Sequence, residues 1–263
     1  MNLTSPSQVK AWCIENGFHP NKVLGQNFLI DRNALVSIVD AGLEGVGEGA
    51  ILEIGPGLGV LTEEMLARGR EVTAVEKDPV LAARLKESLG SPAKLTVIAG
   101  DALTATPRTP FAGMVSNLPY QAGTRILLDL VQRRELPSIT VLVQTEVAER
   151  LAAGPGSKTR GLAGVWAQLD YDVKIVRKVS PSCFWPRPEI GSSVVKLVRH
   201  DRNIAFSLEE RRFFHDLTKK AFEHRRKQLG SIFKDMIKST ARAEELSTED
   251  WLNLTKGLIN ANA

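Results

Sequence analysis

Ile51-Leu52-Glu53-Ile54-Gly55-Pro56-Gly57-Leu58-Gly59 is the stretch on which the reading of this chain turns. A short, mostly aliphatic run fits a strand of a parallel sheet, and the glycines stand where that strand must give way to a helix beginning near Val60. Glycine tolerates positive φ and, lacking a Cβ, lets a ligand approach the backbone, so the turn suits a nucleotide-like cofactor. Its spacing is G-x-G-x-G. The G-x-G-x-x-G form that sets a helix N-terminus against a pyrophosphate is absent, which argues against a nicotinamide dinucleotide.

Working outward, short aliphatic runs alternate with helical stretches, and strands are expected at 50–54, 71–75, 95–98, 112–116 and 138–143. Such alternation implies βαβ units and a parallel sheet. Two further strands, at 171–179 and 192–198, can pair as a hairpin across the proline-rich loop 181–191. Helices are expected at 5–17, 31–42 and 144–153; another has Asp78 as cap, Pro79 at its first position and Gly90 as terminator, with Val80, Leu81, Leu85 and Leu89 facing the sheet. After His200 strand signals stop, and Ser207-Leu208-Glu209-Glu210 reads as a capping box. The expected organisation is an α/β, Rossmann-like domain over 1–200, with a helical N-terminal segment 1–48, and a small α-helical domain over 201–263.

Composition narrows the setting. With 43% hydrophobic residues the 263-residue chain can bury a sizeable core, and its net charge of +4 is basic but mild. Two cysteines, Cys13 and Cys183, and four histidines show no metal-ligand or disulfide spacing, so no metal is expected and a reducing, cytoplasmic location fits. No run approaches the roughly 18–20 apolar residues that span a bilayer, so no membrane partner is expected, and the chain is read as a monomer.

The acids specify the cofactor. Glu53, inside the strand, suits a cation better than a diphosphate, and S-adenosylmethionine carries a sulfonium and an ammonium and no phosphate. Glu53 is therefore read as organising the loop of Gly55, Gly57 and Gly59 near that positive end. Glu76 ends the second strand, where a carboxylate can accept from both ribose hydroxyls, and Asp101 ends the third, where it can accept from the adenine amino group.

Asn117-Leu118-Pro119-Tyr120 follows the fourth strand. The exocyclic nitrogen of adenine is a poor nucleophile because its lone pair is delocalised into the ring, so a catalyst must hold it pyramidal and in line with the methyl group. The Asn117 side-chain oxygen and the Leu118 carbonyl can each accept one N–H, Pro119 stiffens the turn, and Tyr120 can stack on the base. Phe184, in Phe184-Trp185-Pro186-Arg187-Pro188, is read as a second stacking platform, the alternative being that it closes the edge of the core. Lys219, Lys220, Arg225, Arg226 and Lys227, with Arg211 and Arg212 two turns earlier, form a basic helix that can follow RNA phosphates; a solvated face is the plainer reading of such a run.

Taken together, these motifs resemble the ribosomal small-subunit RNA adenine dimethyltransferase family. The resemblance runs from Leu24-Gly25-Gln26-Asn27-Phe28-Leu29 through the glycine loop, Glu76, Gly100-Asp101 and Asn117–Tyr120 to Gln144–Arg150 and Phe184–Pro188. It implies a seven-stranded class I methyltransferase core with a small α-helical C-terminal domain, and S-adenosylmethionine held by Asn27, Leu29, Gly55, Glu76, Asp101 and Asn117. It also implies N6,N6-dimethylation of two adjacent adenines near the 3′ end of small-subunit (16S) rRNA, on an immature 30S particle. Gln121, Thr145, Arg160 and Gly191 depart from the family's usual pattern. Competing readings are an adenine-N6 methyltransferase of large-subunit rRNA, and an assembly factor that mainly binds immature small subunits.

Overall fold

A computed structural model describes residues 1–21, 24–203 and 205–262. The strands are β1 (Phe28–Leu29), β2 (Ile51–Ile54), β3 (Val72–Glu76), β4 (Leu95–Ala99), β5 (Gly113–Asn117), β6 (Ser138–Gln144), β7 (Tyr171–Val179), β8 (Phe184–Trp185) and β9 (Ser192–Arg199). The helices are α1 (Pro6–Glu15), α2 (Arg32–Leu43), α3 (Val60–Ala67), α4 (Pro79–Ser88), α5 (Ala102–Ala105), α6 (Gly123–Arg133), α7 (Thr145–Ala152), α8 (Leu162–Asp170), α9 (Leu208–Glu223), α10 (Leu229–Phe233) and α11 (Thr248–Asn262).

Seven strands form one sheet in the order β4-β3-β2-β5-β6-β9-β7. Its first five members run parallel, and β9 pairs antiparallel with β6. The chain moves outward from β2 to β3 and β4, then returns to β5 beside β2 and moves outward the other way. That reversal opens a crevice at the carboxyl ends of β2 and β5, the place where open α/β sheets bind ligands. All four residues of β2 are buried, as expected of a strand covered on both faces.

Local signals set the helix starts. The Asp31 side chain accepts from Ala34 N at 2.7 Å, and Asp78 accepts from Val80 N and Leu81 N. Leu81 and Leu85 pack inward, but Val80 is 43% exposed and does not face the sheet. It sits in the first turn, whose phase points it to solvent. A core cluster from Leu35, Ile38, Ile51, Leu61, Met65, Val115 and Leu142 binds α2 and α3 to the sheet. Among the described residues no helix is long and apolar enough to cross a membrane.

Two compact units emerge, one of residues 1–148 and 174–199, the other of 149–173 and 200–263. The expected break after residue 200 therefore misplaces 149–173. The reason is α8, a helix absent from the sequence reading, whose Val165 and Leu169 join Phe214, Leu217 and Trp251 in the second unit's own core. Two further corrections concern short elements. Residues 184–185, expected within the loop 181–191, pair antiparallel as β8 with residues 28–29 as β1, with Phe28 opposite Trp185 and Leu29 opposite Phe184. The basic helix ends at Glu223, so Arg225, Arg226 and Lys227 lie in the turn that follows it.

Candidate active site

A cavity of about 410 Å³ occupies the crevice of the first unit, within the range of small-molecule sites. Asn27, Leu29, Glu53, Gly55, Gly57, Glu76, Asp101 and Asn117–Tyr120 all line it. Gly55 and Gly57 have φ of +66° and +60°, and a Cβ on Gly57 would come within 3.1 Å of the Phe28 ring. Glycine makes this bend without the strain that a side chain carries at positive φ, and at Gly57 it leaves room for the Phe28 ring.

The two strand-end acids are wired by main chain. Glu76 accepts from Gly57 N at 3.0 Å through one oxygen and from Asp78 N at 2.8 Å through the other. Asp101 caps α5 by accepting from Leu103 N at 3.0 Å and pairs with Lys77 at 2.8 Å. The glycine loop is thus tied by Glu76. Glu53, expected to organise it, accepts instead from the Thr62 hydroxyl at 2.6 Å and so joins β2 to α3.

Burial and hydrogen bonding shift their carboxyls in different directions. Desolvation pushes the Glu53 carboxyl up to about 8, with the Thr62 hydrogen bond opposing and nearby Glu76 adding to the rise. Burial also raises Glu76, against the pull of the Asp78 and Gly57 amides. Asp101 is held below the usual carboxylate range, first by Lys77 and then by the Leu103 amide. A positively charged ligand placed beside Glu53 would reverse the shift there, so the donor set fits the cationic end of S-adenosylmethionine.

On the other side of the cavity, Asn117 ends β5 and its amide nitrogen donates to the Asn27 carbonyl at 3.1 Å. Only the NH2 of an amide can donate, so this bond fixes which way the oxygen faces. Leu118 N donates to Leu142 O at 3.1 Å and Gly123 N donates to Pro119 O at 2.7 Å, holding the turn at both ends. Gly25 is packed against this turn, where a Cβ would lie 3.1 Å from Tyr120 N. Tyr120 is half-buried, and its hydroxyl lies 2.5 Å from Ser192 Oγ.

Several expected site residues lie elsewhere. Phe184 is 3% exposed within the core cluster of the first unit and does not line the cavity, because pairing with β1 turns it inward. Gly59 does not line it either; a Cβ there would meet Leu85 Cδ1 at 2.6 Å, so this glycine serves the packing of α3 on α4. In the second unit Arg211 is buried, pairs with Asp170 at 2.6 Å and donates to the carbonyls of Phe206 and Asn203, which removes it from any RNA-facing surface. Arg225 donates to Lys158 O and lies 3.6 Å from Glu244. Arg212, Lys219, Lys220, Arg226 and Lys227 are exposed.

Sequence reasoning missed Lys77, Arg125 and Leu3 as lining residues. Lys77 follows Glu76 directly and could have been found as a partner for the next strand-end acid; Leu3 carried no signal. Of the four departures from the family pattern, Gln121 lines the cavity, while Thr145 N donates to Gly191 O at 3.0 Å. Arg160 is wholly buried in the second unit, donating to Ala153 O and Gln168.

Residues 17–258 match the family model described as ribosomal RNA adenine dimethylase. The chain is 46% identical over 197 residues to the ribosomal RNA small subunit methyltransferase A of Deinococcus radiodurans, which covers 74% of this chain and 67% of that protein. A solved dimethyladenosine transferase from Plasmodium falciparum superimposes with a TM-score of 0.77 at 22% identity, over 89% of this chain and 98% of the other, a likeness of fold. The 23S rRNA methyltransferase ErmE superimposes with a TM-score of 0.69 at 25% identity, over 89% of this chain and all (100%) of the other.

Proposed function

The chain belongs to the ribosomal RNA adenine dimethylase family and is an S-adenosylmethionine-dependent rRNA adenine dimethyltransferase of the small subunit; from that premise we propose how its pocket does the work. S-Adenosylmethionine, when bound, supplies an electrophilic methyl group on a sulfonium. Glu76 receives the ribose hydroxyls, Asp101 the adenine amino group, and Glu53 faces the positive end, with Asn27, Leu29 and the bend at Gly55 and Gly57 completing the cradle.

The target adenine enters from the side of Asn117. Its N6 hydrogens would point to the Asn117 side-chain oxygen and the Leu118 carbonyl, acceptors that would hold the lone pair out of conjugation and free to take a methyl group, the N6 proton displaced by each methylation leaving to solvent. Tyr120 stacks on the ring, a contribution of about 1–3 kcal/mol per base. No covalent protein intermediate forms; the rate rests on orientation and on acceptors fixed in advance. The observation that supports this reading is the Asn117–Asn27 bond, which fixes the orientation of the side-chain amide of a residue lining the same cavity as the three acids.

We further assign the substrate as two adjacent adenines near the 3′ end of 16S rRNA within an immature 30S particle, with the exposed cations Arg212, Lys219, Lys220, Arg226 and Lys227 following its phosphates, and the chain acting as a monomer without a metal. The test is incubation of under-modified small subunits, free 16S rRNA and large subunits with labelled methyl donor, followed by nucleoside mass spectrometry. N6,N6-dimethyladenosine confined to the small-subunit particle is expected. Label in the large-subunit RNA instead would overturn the substrate assignment.

A further inference from the structure

The base side of the pocket is pinned from a distant part of the chain. Tyr120 closes the Asn117–Tyr120 turn, and its phenolic oxygen shares a 2.5 Å hydrogen bond with Ser192 Oγ, 72 residues later on the first residue of β9. Ser192 is fully buried. A phenol half-buried against a strand end must find a partner for its O–H, and this hydroxyl is the one it finds.

The support beneath Ser192 is rigid. It stands opposite Gln144, the last residue of β6, while Ser193 stands opposite Val143. On the flank, Thr145 N donates to Gly191 O, and the Thr145 and Ser193 hydroxyls lie 3.0 Å apart. Tyr120 is likewise held at its backbone by the bonded turn described above. With the Cα fixed by the turn and the far oxygen fixed by Ser192, the long axis of the ring cannot swing into or out of the cavity. Only rotation about that axis is left, which moves neither end.

We infer that Ser192 is a positioning residue for methyl transfer: through the Tyr120 hydroxyl it sets where the aromatic ring stands for an incoming adenine. The inference rests on the proposed role of Tyr120 and adds a second residue to it. Ser192 is absent from the residues that line the cavity, so it acts on the base only through Tyr120 and leaves the cofactor cradle alone.

A double-mutant cycle on the full chain tests this, with single-turnover methylation of under-modified small subunits and calorimetric titration of the cofactor as readouts. S192A and Y120F each remove one partner of the same bond, and each is expected to lower turnover roughly five- to tenfold with KM for the particle and cofactor Kd unchanged. The double variant is expected to match Y120F alone within about twofold. A merely structural Ser192 would lower turnover by the same factor in both backgrounds, and that result would overturn the proposal, as would Y120F with full turnover. Y120F changes no residue of β9, so it can still overturn the proposal by full turnover even if S192A does not fold. Y120A separates the two levels: an active Y120A sinks the role of Tyr120 itself, whereas an inactive Y120A beside a fully active Y120F sinks only the role of Ser192.

Discussion

In the first unit main chain holds key polar side chains at the cavity: Glu76 by the amides of Gly57 and Asp78, Asp101 in part by that of Leu103, and Asn117 by the Asn27 carbonyl. In the second unit charge is plentiful and is sorted by helix phase. On α9 the buried positions are Arg211, Phe214, Leu217, Thr218 and Ala221, a three-and-four spacing that carries one arginine into the core and leaves its neighbour Arg212 in water. A group fixed by backbone has a place that its sequence spacing encodes. A group fixed by the face of a helix has a place that charge alone does not.

The largest effect should come from the buried arginine. Arg211→Ala leaves Asp170 without its guanidinium partner in the interior, and breaking a buried pair this way costs about 3–5 kcal/mol. Arg212→Ala, one residue on, should change stability by no more than about 0.5 kcal/mol. Urea unfolding of the two variants measures the contrast directly. Equal midpoints would erase the distinction between the two arginines.

Next in size is the pocket's own fixed amide. Asn117→Ala should lower turnover by about 10²- to 10³-fold, the scale of losing one preorganised hydrogen-bonding group at a reacting centre. RNA affinity should stay close to that of the unaltered chain, since phosphate contacts supply most of it. Single-turnover rates at saturating cofactor, set beside filter-binding curves, separate the two quantities. A rate unchanged by the substitution would remove Asn117 from the chemistry.

The same contrast accounts for what could be read before the fold was known. Strand positions, the glycine bend and the strand-end acids are local facts, each written within a few residues, and the structure brings them into one cavity. What escaped was non-local or shared between elements. The pairing of Leu29 with Phe184 buries an aromatic ring that in isolation looks like a stacking platform, and Thr62 captures the carboxylate of Glu53 from the next helix. Ser192 lies 72 residues from the Tyr120 hydroxyl with which it shares its bond. Arg211 was legible in principle, because it lies three residues before Phe214 and seven before Thr218 on the same face; attention to charge hid the periodicity.

A smaller effect isolates Glu53. With its carboxyl raised to about 8, the free protein carries it protonated at neutral pH. A cation beside it favours the ionised form, so cofactor binding expels a proton between the ordinary carboxylate range and pH 8. By linkage, affinity should rise with pH across that window, by at most about tenfold per pH unit for one proton. The free protein's stability runs the other way. The folded state holds a proton there that the unfolded state has released, so stability falls as pH rises toward 8. Titrations from pH 5.5 to 7.5 should show the slope, and Glu53→Gln should abolish it. A slope that persists in Glu53→Gln belongs to another group.

The smallest effect concerns the exposed cations, and it is the one that charge alone predicts worst. Arg225 makes a poor probe, because its contacts with Lys158 and Glu244 mean that its loss would loosen the turn as well as remove a charge. Lys220 is compromised in the same way, its ammonium lying 5.4 Å from the centroid of Phe233. Lys219, Arg226 and Lys227 are exposed, so charge removal there reports on the RNA alone. Each phosphate released should reduce the slope of log affinity against log salt by about 0.7–0.9. Lys219→Ala with Arg226→Ala should therefore flatten that slope by about 1.4–1.8 and weaken binding several-fold near physiological salt, with turnover on saturating particles unchanged. If the slope does not move, the phosphates are met elsewhere, and the second unit's charge is a solvated face whose sorting reflects folding and nothing more.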